Sequence, residues 1–490
     1  MPGRIRPGPT TDTLRLALHS PPVIVIKGIF RNFFHGDTVK DQQGQAQKNI
    51  GTNMLALGLL IGFVLWVERI APASSLDHVG WINFSLGFVL LAAFIAAKLL
   101  KLAKLPLITG YIFTGIIAGP HITSFITAET VSRLKLIDDL ALSFIALSAG
   151  AALRMPFLRE RIKAICFNVF FQSLVVFVLV IFFIMTTGSL FDFTRNLTFK
   201  KLMALAILLG VMSVARSPSS AMAIISETKA KGPFTDTVLG VTVAIDVLII
   251  LLFTIAMTVC GAFLTGEAET PGVFSALFIE LTASLAVGLL VGKVVSFYFE
   301  RVGHNPSLFI LFTAFCITKF SAALAQFMEF QYGESLHLEP LLICMSAGFF
   351  VQNFSKAGAA LEKNLNRSSL PIYVLFFSLA GASLDIEALH ICWPVAVALA
   401  VVRIAGIFIA TWLTGIIDHE SRPYRYTSWM AYITQAGVAI GLAQLAERQF
   451  PEIGVYLTTI ALAAITINQV VGPVTFKLAL GLAGETNKMN

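Results

Sequence analysis

The sequence predicts an all-α polytopic membrane protein of about fourteen spans, built as inverted six-helix repeats with two crossed, broken helices. Composition, the lengths of the apolar runs and a matched pair of polar interruptions carry this expectation. Of 490 residues, 56% are hydrophobic and 13% charged, with a mean hydropathy of +0.81. An average soluble chain carries about 25% charged residues, so this one needs lipid around it.

A helix crossing a hydrocarbon core of about 30 Å needs about 17 to 25 apolar residues. Such runs fall at 52–70, 80–100, 105–122, 134–153, 161–187, 201–226, 235–265, 273–298, 306–330, 336–353, 370–390, 392–416, 426–447 and 451–480. They leave no room for a soluble catalytic domain, so a transporter rather than an enzyme is expected. The net charge of +7 is spread over short loops, which argues against nucleic acid as a partner. With the N-terminus placed in the cytoplasm, inside loops hold fifteen Lys and Arg and outside loops six, which puts both termini inside. Residues 1–50 read as a basic cytoplasmic tail with an interfacial segment at 23–34. Cys166, Cys260, Cys316, Cys344 and Cys392 all fall in spans without ligand spacing, so neither a disulfide framework, a resident metal nor another cofactor is expected.

In order along the chain, 51–79 is an added N-terminal helix and loop, 80–265 a first six-span unit, and 266–305 a linking helix. Residues 306–480 form a second unit and 481–490 a short cytoplasmic tail. The third span of each unit carries a similar run, Ala149-Gly150-Ala151 and Ala380-Gly381-Ala382. One unit plus one linking span is an odd number, so the second unit enters the membrane from the opposite face. Close helix packing accounts for the GxxxG pairs Gly115/Gly119 and Gly437/Gly441.

The fifth span of each unit is interrupted. In the first, Ser213, Arg216, Ser217, Pro218, Ser219 and Ser220 collect at mid-membrane, where a proline removes a backbone donor and breaks the helix. In the second, Thr434, Gln435 and Gly437 hold the equivalent place. Helix ends at that depth must face one another or a watery cavity.

Asp246 is the acid nearest the middle of any span, and a buried carboxylate is a functional candidate by default. It can hold a proton or a dehydrated cation but not both, and that competition is exchange chemistry. Thr242, one turn earlier, and the serines 217, 219 and 220 are candidate co-ligands. Arg403 is the expected charge partner, with Arg216 beside the first break as a second. Asp138 and Asp139 are placed at the outer interface and Lys319 in a cavity or packing role.

The chain resembles the cation/proton antiporter superfamily, in particular its potassium-efflux and sodium/proton exchanger branches. The resemblance rests on Leu105-Pro106 through Gly110-Tyr111 to Gly119-Pro120, on Phe376-Phe377 to Gly381, and on Gln435-Ala436-Gly437. It implies a homodimer in the plasma (inner) membrane that exchanges Na⁺ or K⁺ for H⁺ in pH homeostasis, with an elevator-like movement of one domain. It also implies Asp246 as the essential carboxylate that binds the transported cation, and Arg403 as the core basic residue. Ile245 stands where the family usually has a polar residue, which suggests electroneutral one-for-one exchange. The nucleotide-binding regulatory domain of many potassium-efflux members is not expected. An alternative is a sodium-coupled symporter of an organic anion, with Arg216 binding the anion; a channel or membrane sensor is a third.

Overall fold

The protein is described by a computed structural model covering 50–70, 78–103, 105–188, 190–191, 194–264, 272–332, 338–384, 386–435 and 438–486. The basic tail at 1–49 and the expected break residue Gly437 lie outside the described residues. Residues 55–490 form one compact unit.

Among the described residues every regular element is helical. α1 (Ile50–Ile70), α2 (His78–Leu102), α3 (Leu107–Ala118), α4 (Ala128–Arg133), α5 (Lys135–Ala152) and α6 (Met155–Thr187) come first. α7 (Phe199–Val214) and α8 (Pro218–Thr228) follow, then α9 (Pro233–Leu264), α10 (Gly272–Arg301) and α11 (Pro306–Tyr332). α12 (Pro340–Phe354), α13 (Gly358–Ala382), α14 (Ile386–Ile417), α15 (Arg422–Thr427), a 3₁₀ turn at Ser428–Ala431, α16 (Val438–Gln449) and α17 (Pro451–Ala483) complete the chain. Among the described residues, eight helical stretches are long and apolar enough to cross a membrane, the interrupted α7–α8 pair counting as one.

Most element boundaries follow the apolar runs, with one correction. The spans expected at 370–390 and 392–416 meet instead at 383–385, where α13 ends and α14 begins. The boundary was misplaced because α14 is kinked at Cys392 (φ −123°, ψ 25°), two residues before Pro394. Proline disturbs the preceding turn without ending the helix here.

Packing sorts the helices of this unit into two groups. α2, α3, α5 and α10 to α13 pack on one another, as do α6 to α9 and α14 to α17. The first group is tightened by glycines facing a neighbour's backbone. A Cβ on Gly150 of α5 would lie 1.9 Å from the Met345 carbonyl of α12, and one on Gly348 of α12 would lie 2.1 Å from that of Leu147. The same exchange joins α3 and α13, with 2.0 Å from Gly115 to Ser378 O and 2.2 Å from Gly381 to Ile112 O. Small residues let helix backbones touch in a setting where no hydrophobic effect drives them together. Gly150→Ala and Gly381→Ala are therefore each expected to destabilise the protein by about 1–3 kcal/mol through overpacking, read as a lower melting midpoint in detergent.

The second group is closed by the end of the chain. Glu485, just beyond α17, accepts from the backbone N–H groups of Phe234 and Thr235 and from the Thr235 hydroxyl, each at 2.7 Å. Those N–H groups open α9 and have no partner within the helix, so a carboxylate there satisfies them and the helix dipole together. Glu485→Ala is expected to cost about 1–2 kcal/mol and to speed amide exchange in the first turn of α9.

Candidate functional site

The site begins at the two interruptions. α7 stops at Val214, Ala215 to Ser217 run extended, and α8 starts with Pro218. Proline at a first helical position lacks only a donor that would be unpaired anyway. Pro218 thus opens the second half-helix rather than kinking a continuous one. Ser217 caps it, its hydroxyl accepting from the Ser220 N–H at 3.2 Å and lying 3.1 and 2.9 Å from the hydroxyls of Ser219 and Ser220. All three serines are buried.

The second interruption lies between the 3₁₀ turn and α16, and its described part, Tyr432 to Gln435, is buried. It touches the first directly. The Gln435 amide donates to the Met212 carbonyl at 2.7 Å and accepts from the Asn468 amide at 3.0 Å. Thr434 packs on Gly472 of α17, where a Cβ would come within 2.7 Å of it.

Two arginines, each 1% exposed, occupy this crossing. Arg403 donates to the carbonyls of Ser213 (2.8 Å), Ala215 (3.0 Å) and Ile433 (2.8 Å), so one guanidinium joins both breaks. Arg216 donates to the carbonyls of Ser213 (3.2 Å), Val214 (2.9 Å) and Ala215 (3.0 Å), and to the Gln172 side chain at 3.1 and 3.3 Å. The end of α7 leaves carbonyls without intrahelical partners and with partial negative charge, and the planar multi-donor guanidinium matches them.

The expected pairing of Asp246 with Arg403 or Arg216 is not a direct contact here. Among the described ion pairs none joins Arg403 or Arg216 to Asp246. The carbonyls of the α7 break are held by the two arginines. Lys319 is exposed, and Asp138 and Asp139 are half-buried on α5.

Asp246 sits in the fourth turn of α9, a helix that packs on α7 and α8. Its Oδ1 atom is buried and has no hydrogen-bond partner. A carboxylate oxygen withdrawn from water without a partner is costly, and a bound cation or proton removes that cost. Ile245 beside it is fully buried. Thr242 is buried too, and its hydroxyl donates to the Val238 carbonyl at 2.7 Å, leaving its lone pairs as the group it can offer. The structure therefore gathers Ser213, Arg216, Arg403, Thr434 and Gln435 at the crossing and the three serines at the start of α8, while Asp246 bonds to none of them. Among the described residues no cluster of three His, Cys, Asp or Glu could hold a resident metal, and none of the five cysteines is in a disulfide.

A cavity of about 110 Å³ opens at the end of the second group that carries the C-terminus, lined among others by Arg161, Asn168, Thr237, Asp418, Tyr424 and Tyr432. The Tyr424 phenol lies outside the long helices. Burial first, then the charges of Glu485 and Glu420, hold it above its ordinary range against the pull of Arg161, so it stays a donor. From this cavity a polar file leads inward, since the Gln172 amide donates to Asn168 at 3.3 Å and Gln172 accepts from Arg216. Gln172, Asn168 and Asn468 were not singled out in the sequence. Each is an amide inside an otherwise apolar run, a weaker signal in a membrane helix than a formal charge.

Residues 88–480 match the family model described as "Sodium/hydrogen exchanger, transmembrane". Two solved structures of the sodium proton antiporter MjNhaP1 from Methanocaldococcus jannaschii share the fold. One, at pH 8, has 16% identity, covers 83% of this chain and 97% of that one, and gives a TM-score of 0.58. The other, from an electron-microscopy map, has 17% identity, covers 84% and 97%, and gives 0.62. No curated protein matches the sequence.

Proposed function

We infer, since the chain belongs to the transmembrane sodium/hydrogen exchanger family, that it is an antiporter in which one monovalent cation and one proton compete for Asp246. Family and fold are those of a multi-pass integral membrane transporter that exchanges cations for protons. The finer reading rests on one observation, the buried and unpartnered Oδ1 of Asp246 on a helix packed against a broken one. The three serines of the α8 start and the lone pairs of Thr242 are the co-ligands in this reading. Arg403 and Arg216 are fixed positive charges that hold the crossing together rather than direct partners of the carboxylate. With Ile245 apolar and buried, no neighbouring side chain on α9 carries a second proton, and exchange is electroneutral, Na⁺ or K⁺ for H⁺.

The reading extends to the architecture. About fourteen spans form two inverted repeats at 80–265 and 306–480, with both termini cytoplasmic and a homodimer in the plasma membrane. The reciprocal glycine contacts support the repeats, because α5 on α12 and α13 on α3 are the contacts an inverted pair would duplicate. Alternating access is then a displacement of the second helix group, which carries both breaks and Asp246, against the first. The organic-anion symporter loses its main support, since the donors of Arg216 are taken by backbone carbonyls and Gln172.

The test is a liposome assay with purified protein and a trapped pH dye. Added Li⁺, Na⁺ or K⁺ should dissipate an imposed proton gradient, without dependence on membrane potential. A protein that leaves the gradient intact with all three ions is not this antiporter.

A further inference from the structure

The second helix group rests on the first mainly through α8 and α17, which pack on α3 and α5. A charged contact holds that seam. Glu227, in the last turn of α8, accepts from Lys477 Nζ of α17 through Oε1 at 3.1 Å, and from the Leu107 N–H of α3 through Oε2 at 2.8 Å. Lys477 Nζ also donates to the Leu105 carbonyl at 3.1 Å. With side chains 9% and 25% exposed, it is the most buried of the described ion pairs.

Local chemistry explains the contact. α3 follows Pro106, which offers no side-chain cap, so its first N–H groups are unpaired at the positive end of the helix dipole. A carboxylate is what such an end attracts, and here it arrives from 120 residues away on the other helix group. α8 is short. Its start carries the Ser217, Ser219 and Ser220 hydroxyls and its end carries Glu227, roughly 13 Å along the axis. Whatever holds Glu227 therefore sets where those serines stand against the first group. Stability alone does not require an ion pair, because apolar residues of like volume often hold a buried contact as well or better. The two charges sit side by side on the second group and together grip the Leu107 N–H and the Leu105 carbonyl of the first, a contact that can part because both charged groups regain hydration when it opens.

We propose that Glu227 and Lys477 form a clasp that closes the transport path at the end of the molecule carrying the C-terminus, and that it opens once in each exchange cycle. They are positioning residues for α8 rather than ion ligands. The proposal rests on the alternating-access reading above, and its test separates the two.

The first measurement needs no transport. In a background with the exposed Cys166 and Cys316 changed to serine, Ser219→Cys reports access to the start of α8 through a membrane-impermeant maleimide supplied from the C-terminal side. Adding Glu227→Gln, or separately Lys477→Met, should speed labelling by at least about threefold, as expected when the closed population falls. The second measurement is exchange in liposomes by Glu227→Gln and Lys477→Met with Ser219 intact. The maximal rate per folded transporter, counted from the monodisperse fraction recovered after reconstitution, should change by about threefold or more while the half-saturating cation concentration stays within about twofold. Faster labelling with no exchange by the unmodified protein would keep the clasp and discard the antiporter. Normal exchange with unchanged labelling and unchanged maximal rate in both variants would overturn the clasp alone.

Discussion

An Asp246→Asn variant in liposomes is expected to leave an imposed proton gradient at the leak rate of protein-free vesicles, whichever alkali cation is added. Asparagine keeps the shape of the side chain but neither releases a proton nor carries the charge that holds a dehydrated cation. The fold should not suffer. Oδ1 has no hydrogen-bond partner to lose, and a neutral amide is easier to bury than a carboxylate. A second readout separates binding from movement. A cation that binds only the folded protein raises its stability by about 2.7 kcal/mol at one hundred times its dissociation constant. The melting midpoint of the unmodified protein should rise with Na⁺ or K⁺, and that of Asp246→Asn should not respond. Undiminished exchange by the variant would remove Asp246 from the mechanism.

The second large effect is expected at Arg403. Arg403→Met removes three donors from the crossing, and Ile433 O then loses its Arg403 donor, whereas Ser213 O and Ala215 O keep a bond to Arg216. A buried carbonyl without a donor costs about 1–3 kcal/mol, and the weakened neighbours add to it, for a total of about 3 kcal/mol or more. Arg403→Met should therefore melt several degrees lower and exchange poorly, even where protein is recovered. Arg403→Lys keeps the charge but loses the fork that reaches three carbonyls at once, so it should recover only part of the melting temperature. A full recovery with lysine would mean that charge, not the bridging geometry, is what the crossing requires. The two variants thus fail differently: Asp246→Asn is stable and inactive, Arg403→Met is unstable.

Much of the fold was legible because a membrane imposes a strong rule. Long apolar runs have to be helices, and the interruption at 213–220 stands out as polar residues and a proline where nothing polar belongs. The kink at Cys392 shows the limit. Proline marks a disturbance, but whether the chain turns there or two strides earlier depends on which neighbours can take the freed carbonyls. Asp246, the serine cluster and both arginines were visible as single residues for the same reason.

Their grouping was not. A charge deep in an apolar run must be neutralised or bonded, and the sequence alone settles that much, together with helical class and the places where helices must break. It does not say by what. Arg403 was expected to meet the opposite charge on Asp246, but only the tertiary structure brings the ends of two broken helices within reach of one guanidinium, 188 and 30 residues away along the chain. Glu227 and Glu485 were unremarkable acids near loop ends until folding placed each at the uncapped start of a distant helix. Burial of a polar group is decided by local composition. The identity of its partner is decided by three-dimensional proximity, which no spacing along the chain encodes.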